Sequence, residues 1–517
     1  MASGFAAAAE RRVLTDLAPC TNAAVGGVLI CLAAIALALQ LTTFPNHDVA
    51  WILWGTREML DGAEFGRDII EPNPPLAWYL AVPSTWLAGQ FGIPVAAAFR
   101  TAVTVAALAS LTAFQRLLPP MSNGVWHYLP LGVASLFLLI LPGREFGQRE
   151  HLMIIAVLPY LALVGARCGG RSVPVGGSLA IGLAAGLGFA LKPYFLVAFA
   201  LVELTAMVMA RRWAYAIRPE VLAILATICA NVVVVLMAHP AYLTNSVPLA
   251  SLIYWSFDRA WSEVLPPLML PLAGLVIGLL IALPQRQPSP LIVGAATIGF
   301  AISYVIQHKG YSYHLYPALA AAAIMLALLI ASPGLTGRNR LACAVLLMLA
   351  LTKPAIDFAE WCYFNSPNGQ RTVKLRTLVR SIDRHAGSGS FLAAAVHPYP
   401  AFPTALYVRA DYVSRTNSQW FLPAVVQARA GTSPNVVDTG HAAEKLARGF
   451  FLRDLSQRPD VVVINTDSQQ HTDAPDDFDF LAFYNEDSRI RALWLNYREA
   501  ERVGKLRVFV RSRAARS

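Results

Sequence analysis

Carboxylates and cations gather in a few short stretches of a chain that is otherwise apolar. Asp48 stands in FPNHDVAWILWGTREMLDG (44–62), and Glu71 stands just ahead of PNPPLAWYL. Arg57 and Arg67 fall between them. Glu145 and Glu150 share REFGQREH (144–151), Lys192 lies in GFALKPYFL (188–196), and His308, Lys309 and Tyr311 lie in QHKGYSYHLYP (307–317). Residues of these kinds can take a proton from a hydroxyl, hold a metal cation, or neutralise an anionic phosphate. Each also has an ordinary structural reading. Asp48 opens a helix expected over Val49 to Asp61 and closed by Gly62, so it serves equally as a cap favoured by the helix dipole. Glu71 reads as a solvated loop charge, Lys192 as a snorkelling lysine at a helix end, and the 308–314 turn as an aromatic belt at a membrane surface.

The elements that must position these residues are membrane helices. Of 517 residues, 56% are hydrophobic and only 14% charged, with a mean hydropathy of +0.51. Apolar runs near the length that crosses a bilayer recur from Ala23 to Ile356, which predicts a polytopic α-helical membrane protein. Spans are expected at roughly 23–43, 93–114, 125–142, 151–166, 175–191, 194–210, 220–238, 264–284, 289–306, 314–331 and 340–356. From Asp357 polar residues return, which marks a second, soluble domain over 357–517. The six cysteines show no paired spacing, so neither a disulfide framework nor a zinc site is indicated. The net charge of +10 reads as the inside-positive bias of membrane proteins, not as a nucleic-acid surface.

Basic residues assign the loops to sides. The stretch Leu76 to Ala88 is short and broken by Pro83; if Pro74 to Ala88 lies in the interface without crossing, eleven spans remain. Arg116, Arg167, Arg171, Arg211, Arg212, Arg218, Arg286, Arg338 and Arg340 then all fall on one side, the cytoplasmic one. The segment 1–22, with Arg11 and Arg12 ahead of an uncleaved first span, is expected in the cytoplasm, and the C-terminal domain outside. The acid- and aromatic-rich stretches all meet on the outer face: the loop 44–92 with its juxtamembrane helices, 144–151, 192–194, 239–263 and 308–314. No phosphate-binding loop or dinucleotide fingerprint occurs on the inner side, and GLAAGLG (182–188) reads as small residues that let helices approach. An enzyme on that outer face has no nucleotide sugar at hand, so an activated donor must arrive within the membrane, most simply as a lipid phosphate.

The order of these features resembles the GT-C glycosyltransferases, closest to the protein O-mannosyltransferase, aminoarabinose transferase and RgtA-like group. One span is followed by an Asp near its outer end, an amphipathic helix, an acid before Pro-Pro, and an aromatic interfacial helix. QRE (148–150) falls where those enzymes carry a second acid, GFALKPYFL resembles their Lys-containing turn, and QHKGYSYHLYP their aromatic outer turn. The resemblance implies sugar transfer from a polyprenyl-phosphate donor to a cell-envelope glycan, lipid or protein, usually with inversion, in a bacterial inner membrane. It casts Asp48 as the base, with Glu150 (or its rival Glu145) binding acceptor or metal and Glu71 shaping the pocket. Lys192, with Arg67 or Arg57, would neutralise the phosphate; His308, Lys309 and Tyr311 are further substrate-binding candidates.

Two departures matter. Glu71-Pro72-Asn73-Pro74-Pro75 lacks the Lys that aminoarabinose-type enzymes place before Pro-Pro, so the phosphate contact must come from elsewhere. The second acid is Glu rather than Asp, which leaves open whether a divalent metal ion is held by Asp48, Glu71, Glu150 and a histidine such as His239. Glu203, an acid inside the sixth span, reads either as functional or as a structural residue bonded to a neighbour. In the C-terminal domain, strands are expected at 391–396, 405–410, 460–465 and 506–511 and helices at 371–385 and 442–456, a small α/β domain serving as a lid or acceptor-recognition module. A membrane transporter or flippase of envelope intermediates is the alternative, although no internal repeat of the kind transporters carry is visible.

Overall fold

The computed structural model describes residues 23–119, 121–122, 124–430, 434–465 and 479–512. The expected cytoplasmic segment 1–22 lies outside the described residues. Among those described, nine helices are long and apolar enough to cross a bilayer, and two shorter apolar ones, Gly124–Ile140 and Val175–Ala190, complete the eleven expected. They are α1 (Ala23–Leu41), α4 (Val95–Leu117), the composite Gly124–Ile140 around α5 (Leu129–Ser135), α6 (Arg149–Cys168) and α7 (Val175–Ala190). After these come the span Pro193–Ala210 around α8 (Leu196–Ala210), α9 (Pro219–Ala238), the short α10 (Val247–Ile253), the composite span Trp261–Gln285 of α11 (Trp261–Val264) and α12 (Met269–Gln285), and then α13 (Pro288–Gln307), α14 (Ser312–Ala331) and α15 (Gly337–Asn365). Continuous apolar runs satisfy every interior backbone group within one helix, the condition for crossing hydrocarbon. Helix α14 is the hub: 94% of its apolar window is buried, against 17% for α9, which stands at the periphery.

The GLAAGLG run does set close packing. A Cβ on Gly182 of α7 would stand 2.5 Å from the Glu220 carbonyl of α9. Between α1 and α4, α2 (His47–Leu60) and α3 (Leu76–Phe91) form the two helices expected of loop 44–92. Helix α3 begins directly after Pro75, carries Pro83 inside it, and packs along α2 and α4.

The C-terminal domain holds a five-stranded sheet of order β2-β1-β3-β5-β4. Strands β1 (Ser390–Ala394), β2 (Asp411–Tyr412) and β3 (Val461–Asn465) are parallel, while β4 (Tyr497–Val503) and β5 (Leu506–Arg511) add antiparallel. Helices α16 (Gln370–Ala386), α17 (Leu422–Arg429) and α18 (Pro434–Ser456) accompany it. One expected strand is corrected: 405–410 forms a 3-10 turn at Thr404–Leu406 followed by coil. Tyr407 there packs edge-on against Phe44 at 4.7 Å, so the segment's apolar residues serve the seam with the membrane module instead of a sheet. Strand β4 was not expected because its alternation is charged and exposed, as suits an edge.

The two modules are docked as one body. Ile70, Leu249 and Ile253, from the segments 44–92 and 239–263, share an apolar cluster with Trp420, Phe421, Leu422 and Phe451 of the C-terminal domain. Backbone and side-chain bonds cross the seam: Ile70 N–H donates to the Arg415 carbonyl (2.8 Å), and the Gln427 amide donates to the Ser256 carbonyl (2.9 Å).

Candidate functional site

Asp48 is the second residue of α2, and it is not the cap. Asn46 holds that place: its Oδ1 accepts the Asp48 backbone N–H at 2.8 Å. Asn46 is in turn held by Glu145, whose Oε2 accepts from Asn46 Nδ2 (3.1 Å) and from Gln148 (2.6 Å) while Oε1 pairs with Arg144 (3.0 Å). Capping by Asn46 leaves the Asp48 carboxylate outside the backbone network. Among the described residues its one ion-pair contact is with His47, whose Nε2 lies 3.5 Å away. Enclosure pushes its carboxyl above the usual aspartate range, against the opposing pull of Arg149, Lys192 and Arg144.

Glu71 is spoken for. Oε2 accepts the Trp51 indole N–H (2.9 Å), and Oε1 accepts from the Asn73 backbone (3.1 Å) and side chain (2.5 Å) and lies 3.5 Å from Arg149 Nη1. It fixes the Trp51 face of α2 and aims Arg149, the first residue of α6. The loop that carries Glu71 is pinned from outside. Gly66, at φ +91°, lets the loop 239–263 approach so closely that a Cβ would stand 2.1 Å from Tyr242 N, and Asn245 donates to the Gly66 carbonyl (2.9 Å).

Glu150 turns away from the space that Arg149 faces. It is 1% exposed and pairs with Lys192 at 2.5 Å, with His314 Nε2 at 3.8 Å. Lys192, 3% exposed, also lies 3.4 Å from Gln307 Oε1 and 3.2 Å from His314 Nε2, and its ammonium sits 5.6 Å from the Tyr313 ring centre. These residues form a charged floor beneath Tyr313.

Above that floor opens a cavity of about 260 Å³. The membrane module lines it with His47, Asp48, Trp51, Glu71, Arg144 and Arg149, and with Tyr254, Tyr311 and Tyr313. The C-terminal domain closes it with His397, Asn417, Ser418 and Trp420 among others. Of the sequence candidates, Asp48, Glu71 and Tyr311 line this space; Glu145, Glu150 and Lys192 support it from behind. Lys309 stands outside but holds the Tyr254 wall, donating to its carbonyl (2.6 Å) and pairing with Asp258 (2.5 Å). His308 packs on Trp261, Arg57 pairs with Glu58, and Arg67 pairs with Glu64; none of the three reaches the cavity. Arg144 and Arg149 are the cations that do, although the sequence reading passed over them. Arg149 sits inside the QRE triplet already singled out, and an Arg beside a candidate acid was the available signal.

The question of a divalent metal, left open by the sequence, meets no fitting set of ligands among the described residues. Among the described residues no three His, Cys, Asp or Glu side chains converge as a cage would. Glu71 and Glu150 already accept from Trp51, Asn73 and Lys192. His239 instead bonds Tyr79 on α3. The neighbours of Asp48 are cations, which suits an anionic ligand better than a metal.

No protein-family model matches the sequence, and no curated protein matches it. Among solved structures the chain is similar to ArnT from Cupriavidus metallidurans. In the apo state that protein matches over 94% of this chain and 98% of its own, at 15% identity and a TM-score of 0.51. Bound to undecaprenyl phosphate it matches over 95% and 98%, at 16% identity and a TM-score of 0.53. At such identities the likeness is one of architecture.

Proposed function

We propose that this chain, which has the GT-C fold, is an integral-membrane glycosyltransferase. It moves a sugar from a polyprenyl phosphate to a cell-envelope glycan, lipid or protein at the outer face of a bacterial inner membrane. The observation that carries the reading is the pairing, in one cavity, of an Asp48 carboxylate left outside the cap network with two arginines, Arg144 and Arg149. Transfer needs those two functions and little else. An acceptor hydroxyl attacks the anomeric carbon as its proton passes to Asp48. The bond from that carbon to the phosphate oxygen breaks, its electrons stay with the phosphate, and the anomeric centre inverts. The leaving phosphate is already a weak base, so no strong acid is required; charge-assisted hydrogen bonds from Arg144 and Arg149 hold it.

A second, more apolar cavity of about 560 Å³ supports a lipid-linked donor. It shares Arg144 and Ser312 with the first and runs past Leu270, Leu315, Leu319 and Phe358 on three membrane helices. A prenyl chain lying there would present its phosphate at Arg144. The ArnT structure bound to undecaprenyl phosphate is consistent with such a donor class.

The test is transfer of label from undecaprenyl-phosphate sugars to envelope extract by protein in nanodiscs. Transfer that persists at wild-type rate in Asp48→Asn removes the base assignment. Reporters fused after residues 170 and 310 check the sidedness; finding both on one side of the membrane would sink it.

A further inference from the structure

The two walls of the catalytic cavity differ in chemistry. Asp48, Glu71, Arg144 and Arg149 all belong to the membrane module, so the charge is on that side. The wall from the C-terminal domain is made of Val396, His397, Pro398, Asn417, Ser418 and Trp420, neutral amide, hydroxyl and aromatic groups with one histidine. Ser418 donates to Asn417 Oδ1 at 3.2 Å, and Asn417 Nδ2 makes no hydrogen bond among the described residues. Trp420 meets Tyr254 edge-on at 6.3 Å, so the aromatic surface continues from one module to the other.

This wall is rigid. Gln419 N–H donates to the Ala395 carbonyl just past β1 (2.7 Å), and Tyr484 Oη donates to Gln419 Oε1 (3.0 Å). Tyr412 Oη donates to the Thr416 carbonyl (3.0 Å). The Arg415 carbonyl accepts from Ile70, the neighbour of Glu71, so the loop is tied to the wall it faces. A preorganised surface of this kind recognises a ligand without an ordering cost.

Resting on the glycosyl-transfer reading, we infer that the Arg415–Trp420 loop is the wall that reads a neutral, hydroxyl-rich sugar ring. Asn417 and Ser418 supply hydrogen bonds and Trp420 with Tyr254 the apolar face. A sugar bearing an amine or a carboxylate meets no opposite charge on this wall, and an uncharged ring loses nothing there. The ring belongs either to the donor or to a glycan acceptor, and two arms of one experiment separate these.

In the first arm, binding of undecaprenyl phosphate and of its hexosyl, pentosyl and amino-sugar esters is measured by native mass spectrometry for wild type, Asn417→Ala and Ser418→Ala. In the second, initial rates of transfer are measured against graded envelope extract. The expected result is a preference of the wild type for neutral over amino-sugar esters. Each variant should lose about tenfold either in affinity for a neutral glycosyl ester or in acceptor KM. Binding of sugar-free undecaprenyl phosphate stays unchanged, which also shows that the variants fold. Variants that match wild type in both arms, or that lose the sugar-free lipid equally, overturn the inference alone. A wild-type protein that binds neither undecaprenyl phosphate nor its esters overturns the glycosyl-transfer reading and this inference together.

Discussion

Helix α6 begins in one buried ion cluster and ends in another, and the two are built to different ends. At its start, Arg149 and Glu150 join Asp48, Glu71 and Lys192 around a cavity. At its end, about 27 Å away by helical rise, Arg167 pairs with Glu220 at 2.8 Å, Glu220 with Arg218 at 3.4 Å, and Arg218 with Glu203. Tyr160 also donates to Glu203 (2.5 Å). In the second cluster every charge meets its opposite, and none of its residues lines a cavity described above. In the first, Asp48 has no Lys or Arg partner among the described residues, only His47 beside it. Buried charge in a membrane helix is therefore not in itself a functional sign. What distinguishes the site is an acid whose backbone duty has been taken by Asn46 and whose side chain faces space.

The contrast can be broken by substitution. Asp48→Asn should cut the transfer rate about a thousandfold, the range expected for loss of a general base, while undecaprenyl phosphate still binds; labelled-sugar transfer and lipid binding read the two halves. Glu203→Gln should do the reverse. It leaves Arg167 and Arg218 sharing the one carboxylate of Glu220 and destabilises the protein by about 3 kcal/mol, as breaking a buried pair does, with transfer by the folded fraction unchanged. Thermal unfolding in detergent checks this, and a transfer defect without destabilisation would make the Glu203 cluster functional. Arg149→Gln should raise the donor KM about tenfold, the loss of a charged hydrogen bond, with a smaller fall in kcat. Arg67→Ala, which removes only an exposed pair with Glu64, should alter stability by less than about 0.5 kcal/mol and leave donor KM alone. A raised KM there would return Arg67 to the site.

Much of this architecture is legible in the sequence because the bilayer acts on composition directly. Each expected span has a helix, and the stretch with Pro83 is a short helix packed along α2. Asp48 was legible from its position after the first span, and Lys192 from its turn. The direction of a side chain was not. Residues 149 and 150 are adjacent in one helical turn, yet Arg149 faces the cavity and Glu150 the floor, a difference of about 100° that spacing alone does not orient. Arg57 lies nine residues along α2 from Asp48, about 13 Å away, so an attractive charge in the same loop is out of reach. The wall at Asn417 to Trp420 depends on contacts nearly 350 residues apart in sequence, such as Arg415 with Arg67, and no local pattern announces it. The misread segment 405–410 has the same cause: Tyr407 answers to Phe44, not to a neighbouring strand.

The central claim is that the Asp48 carboxylate, with its proton affinity raised by enclosure, accepts the acceptor's proton. A base works only when ionised, so a carboxyl held above the ordinary aspartate range moves the acid limb of the rate profile to higher pH. The pH dependence of kcat/KM for transfer, in wild type and in the residual activity of Asp48→Asn, tests this most directly. The account predicts an acid limb in the wild type above the range of a free aspartate and its disappearance in the variant. The same limb in both proteins would contradict it.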